Sequence, residues 1–128
     1  MEAKRRAKKR KRGRAILSDL ANYRSGNMTA SAHLEYRAKA RIIKALAHPS
    51  RLFIVDELSR GERCVAELTE MIGVEMPTVS RHLSQLKEVG IIEDEKRGAQ
   101  VFYRLRIPCV LNFFNCIEAV QKNGKGTG

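Results

Sequence analysis

Two short segments with helical periodicity, joined by a glycine-containing turn, constrain the fold of this chain more than any other feature. The first segment begins around Cys64 and ends at Gly73, and the second runs from Pro77, a favoured first helical residue, to Gly90. The turn between them, residues 73–76, has the length that joins two helices in a helix-turn-helix. The side chains predicted to be buried on the two helices recur at helical spacing: Val65, Leu68, Ile72, Val79, Leu83 and Leu86.

The segment after Gly90 changes to the pattern of β-strands. Val101, Tyr103 and Leu105 alternate along one side of the chain, and residues 96–98 separate two β-prone runs. These runs predict a hairpin with a basic tip. Helix, turn, helix and basic hairpin in this order predict a winged helix-turn-helix, a mainly α (α+β) fold with a β-hairpin wing.

Three more helices are predicted around this unit. The first spans Ser31 to Leu46 and ends before His48-Pro49, because a residue that precedes proline is pushed out of the helical region. The second runs from Pro49 to Gly61, and an apolar last helix follows Pro108. Inward-facing residues are expected at Leu34, Ala38, Ile42, Ala45 and Leu46 on the first helix and at Leu52, Val55 and Leu58 on the second.

The positive charge is concentrated at the beginning of the chain. Residues 1–14 hold nine Lys or Arg and one Glu, a net charge of +8 out of the total of +11, which leaves +3 for the other residues. Residues 1–30 are therefore predicted to be a basic, disordered extension, which does not exist if translation starts at Met28. Residues 31–122 are predicted to form one winged-helix domain for DNA binding and dimerisation, and 123–128 a flexible tail.

Several protein classes are disfavoured by the sequence. It contains no run of 18 or more apolar residues and no apolar stretch behind its basic start, so no membrane partner is predicted and a cytoplasmic protein is expected. Its three cysteines, an odd number, favour reduced thiols over disulfides. No Ser-His-Asp or phosphate-loop pattern is present, so the chain is not expected to be an enzyme.

The predicted helix from Pro77 to Gly90, the fourth in chain order, has a polar face that suits double-stranded DNA. Its hydroxyl, guanidinium, imidazole and amide groups can hydrogen-bond base edges or phosphates in a major groove, and the hairpin tip could reach the adjacent minor groove or backbone. The alternative is an ordinary solvated helix face beside an ordinary charged turn. The residues predicted to contact DNA are Thr78, Ser80, Arg81, His82, Gln85, Lys96 and Arg97.

Residues 45–105 contain four motifs: His48-Pro-x-Arg51-Leu52, Val79-Ser80-x-His82-Leu83-x-x-Leu86, Gly90-Ile91-Ile92 and Tyr103-Arg104-Leu105. With these motifs the segment resembles the ArsR/SmtB family of dimeric winged-helix metalloregulators. It implies a homodimer, paired through its first and last helices, that binds a two-fold-symmetric operator and represses transcription until an inducer weakens the complex. No cofactor is then needed for DNA binding.

The resemblance also directs attention to the cysteines. Family members that sense soft metals or metalloids carry Cys-Val-Cys-Asp/Glu-Leu at the start of the third helix, whereas this chain has Cys64-Val65-Ala66-Glu67-Leu68. Because the second cysteine of that motif is alanine here, the missing ligands are expected from Cys109 and Cys116. Three thiolates match the coordination of trivalent arsenic or antimony, the expected inducers.

Helix geometry limits how Cys109 and Cys116 could share an ion. Residues seven apart on a continuous helix are separated by about 10.5 Å along its axis. Thiolates on one ion must lie within about 4 Å of each other. The last helix is therefore predicted to begin after Pro108-Cys109, so that Cys109 can fold back; otherwise Cys64 completes a site, within one chain or across the dimer.

Other readings of the cysteines stay open. They could fill space in an apolar dimer interface, because free cysteine packs as a small hydrophobe. Within the same fold, the alternatives are a sensor of cadmium or lead and a repressor that responds to thiol oxidation or persulfides. A DNA-binding protein without a sensing function is the remaining alternative.

Overall fold

The computed structural model of this chain describes residues 28–125. The predictions for residues 1–27 and 126–128 lie outside the described residues. Within them, the helices and strands in chain order are α1 (Ala30–Leu46), α2 (Pro49–Leu58), β1 (Arg63–Cys64), α3 (Val65–Ile72), α4 (Met76–Glu88), β2 (Ile92–Arg97), β3 (Gln100–Leu105) and α5 (Val110–Lys125).

The chain divides into two compact units, residues 1–41 and 42–128. The described part of the first unit consists of residues 28–41 and contains most of α1. Helix α1 starts where the hydroxyl oxygen of Thr29 accepts a hydrogen bond from the backbone N–H of Ala32 (3.1 Å), as a capping threonine does.

The second unit is built around the helix-turn-helix. The predicted stripe of α4, Val79, Leu83 and Leu86, is completely buried, and so is Leu68 of α3. This core is closed by α2 and by the start of the wing. Its buried members are Leu46, Ile54, Val55, Leu58, Leu68, Val79, Leu83, Leu86, Ile91 and Ile92. The prediction of a winged helix-turn-helix is confirmed.

Local signals set the ends of the core helices. The Nδ1 atom of His48 accepts a hydrogen bond from the backbone N–H of Ser50 (3.1 Å), and Pro49 takes the first helical position of α2. Helix α3 ends at Gly73, whose φ of +78° is readily adopted only by glycine. The three residues Gly73–Glu75 then form the turn that leads into α4.

The wing is a three-stranded antiparallel sheet in the order β1-β3-β2. Arg97 pairs with Gln100, so Gly98 and Ala99 form the two-residue loop of the hairpin, with Gly98 at φ +64°. The prediction that residues 96–98 form the tip was therefore wrong in register, because Lys96 and Arg97 belong to β2. Strand β1 was not predicted; its two residues pair with β3.

The first and last helices leave apolar side chains in contact with solvent. Of the residues predicted to face inward on α1, only Leu46 is buried, while Leu34 and Ile42 are 47% and 43% exposed. Helix α5 begins after Cys109 as predicted, and it continues to Lys125 through residues assigned to a flexible tail. No helix among residues 28–125 has the length and apolarity needed to cross a membrane.

Candidate nucleic-acid interface and thiol positions

The polar face predicted to contact DNA lies on the outward side of α4. Ser80, Arg81 and Gln85 are exposed, and Thr78 and His82 are half-buried. The completely buried stripe on the opposite side of the helix fixes its rotation about its own axis. The outward side therefore presents a fixed set of donors and acceptors.

Arg51 of α2 reaches across to this face. Its Nη1 atom donates a hydrogen bond to Oε1 of Gln85 and lies 3.5 Å from Nδ1 of His82. Its Nη2 atom donates to the backbone carbonyl of Lys44 at 3.4 Å. The sequence alone indicates no role for Arg51, because its partners on α4 lie 31 and 34 residues further along the chain.

His82 is the most enclosed of the predicted contacts that carry a titratable group. Its ring lies 4.4 Å from the ring of His48, measured between centroids and tilted by 40°. Burial lowers the pKa of His82 below its ordinary value of 6.5, and the positive charges of His48, Arg51 and Arg81 lower that pKa further. The imidazole of His82 is therefore neutral at physiological pH, and its Nδ1 atom can accept from Arg51.

The basic side chain predicted at the wing tip is held in ion pairs. Arg97 makes two hydrogen bonds to Glu62 (2.8 and 3.1 Å) and one to Glu95 (2.9 Å), and its guanidinium lies 4.9 Å from the Phe102 ring centroid. The hydrogen bonds from Arg97 lower the pKa of both carboxyl groups. Lys96, by contrast, is exposed.

The rest of the wing carries the same type of pairing. Arg104 donates to Glu93 at 2.7 Å and to Glu95 at 3.2 Å. These bonds raise the pKa of Arg104, so its guanidinium stays charged. Without the two arginines, the carboxylates of the wing would repel DNA phosphates, and the arginines neutralise much of that charge.

Cys64 differs from the other two cysteines. It is 6% exposed, pairs with Phe102 in the sheet and takes the capping position of α3. Its backbone N–H donates to Oε1 of Glu67 at 3.1 Å. This bond is the main cause that lowers the pKa of Glu67, and the Cys64 side chain lowers that pKa further. Cys64 therefore acts as a buried donor at the start of a helix.

Cys109 and Cys116 are both exposed. Cys116 is spaced three, one and four residues from Phe113, Ile117 and Val120, which places these four side chains on one face of α5. The three apolar members of that face are 38%, 37% and 70% exposed. Cys109 lies in the turn directly before the helix, four residues before Phe113.

The backbone at Cys109 already follows the path of the helix. Its carbonyl accepts from the N–H of Asn112 at 3.0 Å, and the carbonyl of Pro108 accepts from the N–H of Leu111 at 3.2 Å. Cys109 thus remains about two turns, or about 10 Å, before Cys116 along the axis. Cys109 lies outside the regular helix as predicted, but its backbone does not fold back toward Cys116.

In residues 28–125 no three His, Cys, Asp or Glu side chains come together as a group that could hold a metal ion. One chain therefore does not bring its three predicted ligands together. The donors themselves suit a soft ion, because thiolate sulfur is the preferred ligand of soft metals. A site with all three thiolates would need either a second copy of the chain or a change of conformation.

Comparison with known proteins identifies the family. The family model described as "Bacterial regulatory protein, arsR family" matches residues 48–94. The solution structure of a homodimeric winged helix-turn-helix DNA-binding domain from Mycobacterium bovis, a possible ArsR-family regulator, superposes with a TM-score of 0.64 at 31% identity, covering 81% of this chain and 95% of that domain. This chain belongs to the ArsR family.

The names of two relatives of this chain point to different functions. The biofilm growth-associated repressor of Xylella fastidiosa is 45% identical over 74 residues, which are 56% of this chain and 65% of that protein. The arsenic resistance transcriptional regulator ArsR1 of Pseudomonas putida is 43% identical over 65 residues, 50% of this chain and 51% of that protein. The chain thus spans about half to two thirds of these curated relatives.

Proposed function

We propose that this chain is a transcriptional repressor that binds operator DNA as an apo homodimer and is released by trivalent arsenic or antimony. In this proposal α4 enters the major groove, and Thr78, Ser80, Arg81, His82 and Gln85 provide its contacts to DNA. Lys96 contacts the DNA backbone beside the groove. Arg97 contributes only when its ion pairs with Glu62 and Glu95 open.

A homodimer is supported by the apolar side chains that remain exposed in one copy. Phe113, Ile117 and Val120 form a stripe on α5, and Leu34 and Ile42 are exposed on α1. Burying such side chains is the main driving force for subunit association. The Mycobacterium bovis domain is homodimeric, which supports the same assembly for this chain.

The position of Cys116 is the observation that carries the sensing proposal. This thiol lies on the apolar stripe of α5, and Cys109 precedes the stripe by one turn. If a second copy covers the stripe, an ion held by these thiolates lies at the subunit interface. Its binding then favours one dimer geometry over another, which is the requirement for allosteric release of DNA.

Cys64 has a different role from the other two cysteines in this proposal. Its burial and its backbone hydrogen bond to Glu67 support a structural role in the apo protein, so Cys109 and Cys116 are proposed as the primary ligands. A third thiolate from Cys64 would complete the coordination that trivalent arsenic prefers, but only if Cys64 leaves the start of α3.

The test is release of the purified protein from the DNA of its own promoter, followed by fluorescence anisotropy. Arsenite or antimonite is expected to lower the affinity about 5- to 150-fold, the usual range of allosteric coupling. Cys109→Ser and Cys116→Ser should abolish this response while apo DNA binding persists. Asn115→Ser, on another side of α5, is the matched control and should respond like the unaltered protein.

The outcomes separate the alternatives. If arsenite has no effect while cadmium, lead or a persulfide donor releases the protein, the metalloid assignment is wrong and the corresponding alternative replaces it. If no thiol reagent releases the protein, the sensing function is wrong although DNA binding stands. Cys64→Ser keeps a good helix-capping group, so loss of the response in that folded variant would make Cys64 a ligand.

A further inference from the structure

Four outward side chains of α4 share one face of the helix. Thr78, Arg81, His82 and Gln85 are related by spacings of three, four and seven residues, and Gln85 is exposed at the end of the row. A helix in a major groove can read bases with residues spaced in this way over two turns. Gln85 is thus placed to meet a base edge, provided that the proposed DNA-binding function holds.

The contact with Arg51 determines which end of the Gln85 side-chain amide faces the guanidinium. Its partner Arg51 can only donate hydrogen bonds, so the atom of Gln85 that faces the guanidinium must be the carbonyl oxygen Oε1. Arg51 is itself held by the backbone carbonyl of Lys44 at 3.4 Å. The amide nitrogen of Gln85, with its two N–H groups, is left free to donate.

This orientation changes what Gln85 can recognise. A free glutamine pairs with adenine by accepting from N6 and donating to N7 at the same time. When Arg51 is bonded to Oε1 of Gln85, the N6 amino group of adenine would have to donate to the same oxygen. The positive charge of Arg51 beside that oxygen repels the partly positive hydrogens of the amino group. Guanine presents two acceptors, O6 and N7, to the major groove, and it suits a group that only donates.

We propose that Arg51 is a positioning residue that sets the base preference of Gln85, so that Gln85 selects guanine and discriminates against adenine. Arg51 acts through Gln85 and does not itself need to touch the DNA. The inference rests on the proposed DNA-binding function and adds the base that one recognition residue reads.

The experiment is selection of binding sites by the full-length protein from a library of randomised duplex DNA. Selection of a two-fold-symmetric motif supports the proposed DNA-binding function, and absence of any motif contradicts that function before the role of Arg51 is judged. Gln85→Ala identifies the base pair of the motif that Gln85 contacts, because the variant should show no base preference at that base pair. At this position the unaltered protein is expected to prefer guanine over adenine by about tenfold.

Two substitutions of Arg51 then test the mechanism. Arg51→Met keeps the length of the side chain but removes its donors, so the preference at the Gln85 position should move from guanine to adenine. Arg51→Lys keeps a positive donor and should retain guanine. A purely structural role of Arg51 would lower affinity at every base pair without changing this one preference.

Three results would overturn the inference. They are an adenine preference in the unaltered protein, an unchanged guanine preference in folded Arg51→Met, and no position that responds to Gln85→Ala. The first and third do not depend on any Arg51 variant, so they apply even if Arg51→Met fails to fold. Circular dichroism of each variant establishes whether it is folded.

Discussion

His82 combines a packing role with a place on the polar face of α4. Its ring lies beside the tilted ring of His48 and near the guanidinium of Arg51. Burial is the main cause that lowers the pKa of His82, and protonation would also place a further positive charge beside these groups, which lowers that pKa further. A neutral imidazole is therefore part of the folded structure.

The first prediction concerns the stability of the protein against pH. Because the pKa of His82 is lower in the folded protein than its ordinary 6.5, the unfolded chain binds more protons as the pH falls through this range. As the pH decreases below about 6.5, the free energy of unfolding should decrease. His82→Asn should make this pH dependence weaker. Urea denaturation between pH 5 and 8 measures the slope.

The comparison of His82→Asn with a His33→Asn control isolates the contribution of His82. Both variants lose one histidine, but His33 belongs to the first unit, whereas the ring contact of His48 with His82 lies within the second. Equal slopes in the unaltered protein and His82→Asn would contradict the assignment.

At the scale of the elements, the wing is attached to the loop between α2 and β1. The bidentate pair of Arg97 with Glu62 joins residues 35 positions apart in the sequence. The pair is about 40% exposed on each side, so it contributes little to stability. Its larger effect is to hold a guanidinium that would otherwise be available to a DNA phosphate.

The second prediction follows from this competition. Glu62→Gln should release Arg97 from its strongest partner and strengthen operator binding by up to about fivefold. The slope of log affinity against log salt should become steeper by about 0.9 for each wing that gains a phosphate contact. Anisotropy titrations at several salt concentrations measure both quantities.

Glu70→Gln is the matched control for this substitution. It removes the same charge from an exposed position on α3. If Glu62→Gln and Glu70→Gln change affinity and salt dependence equally, the effect is one of net charge and Arg97 is not held back by Glu62.

The elements also show how far the sequence can predict this fold. The buried stripe of α4 was predicted correctly because helical periodicity is a local signal, whereas on α3 only Leu68 is buried and Val65 and Ile72 are partly buried against the core. Strand β1 was missed because two residues have no periodicity and exist as a strand only through pairing with β3, about 40 residues further along. The roles of Arg51 and Glu62 were missed for the same reason, since their partners are distant in the sequence.

At the scale of the whole molecule, helical periodicity indicated apolar faces without telling which partner covers them. Leu34 and Ile42 of α1 and the stripe of α5 have the spacing of core residues but remain exposed in a single chain. A core that is completed by a second copy gives the same sequence pattern as an internal one. The same holds for the candidate thiol site, because Cys109 and Cys116 could share an ion only at such an interface, and the sequence of one chain does not show that interface.

The third prediction tests the interface directly. Ile117→Glu should raise the dimer dissociation constant more than tenfold, because an unpaired charge would be buried in each subunit. Folding of the monomer should persist, since Ile117 is already 37% exposed there. Analytical ultracentrifugation measures the dissociation constant.

Asn115→Glu places the same charge on another side of α5 and should leave the dimer intact. Equal weakening by both substitutions would mean that the stripe of Phe113, Ile117 and Val120 is not the interface. An unchanged dimer in folded Ile117→Glu would have the same meaning.

The central claim is that thiolate chemistry at α5 and DNA binding at α4 are coupled through one dimer, and thermodynamic reciprocity tests it most directly. The affinity of the protein for arsenite is measured by isothermal titration calorimetry, with and without saturating operator DNA. Operator DNA should weaken arsenite binding by the same factor by which arsenite weakens DNA binding, about 5- to 150-fold, and Cys116→Ser should remove the effect. An arsenite affinity that is the same with and without DNA would contradict the account.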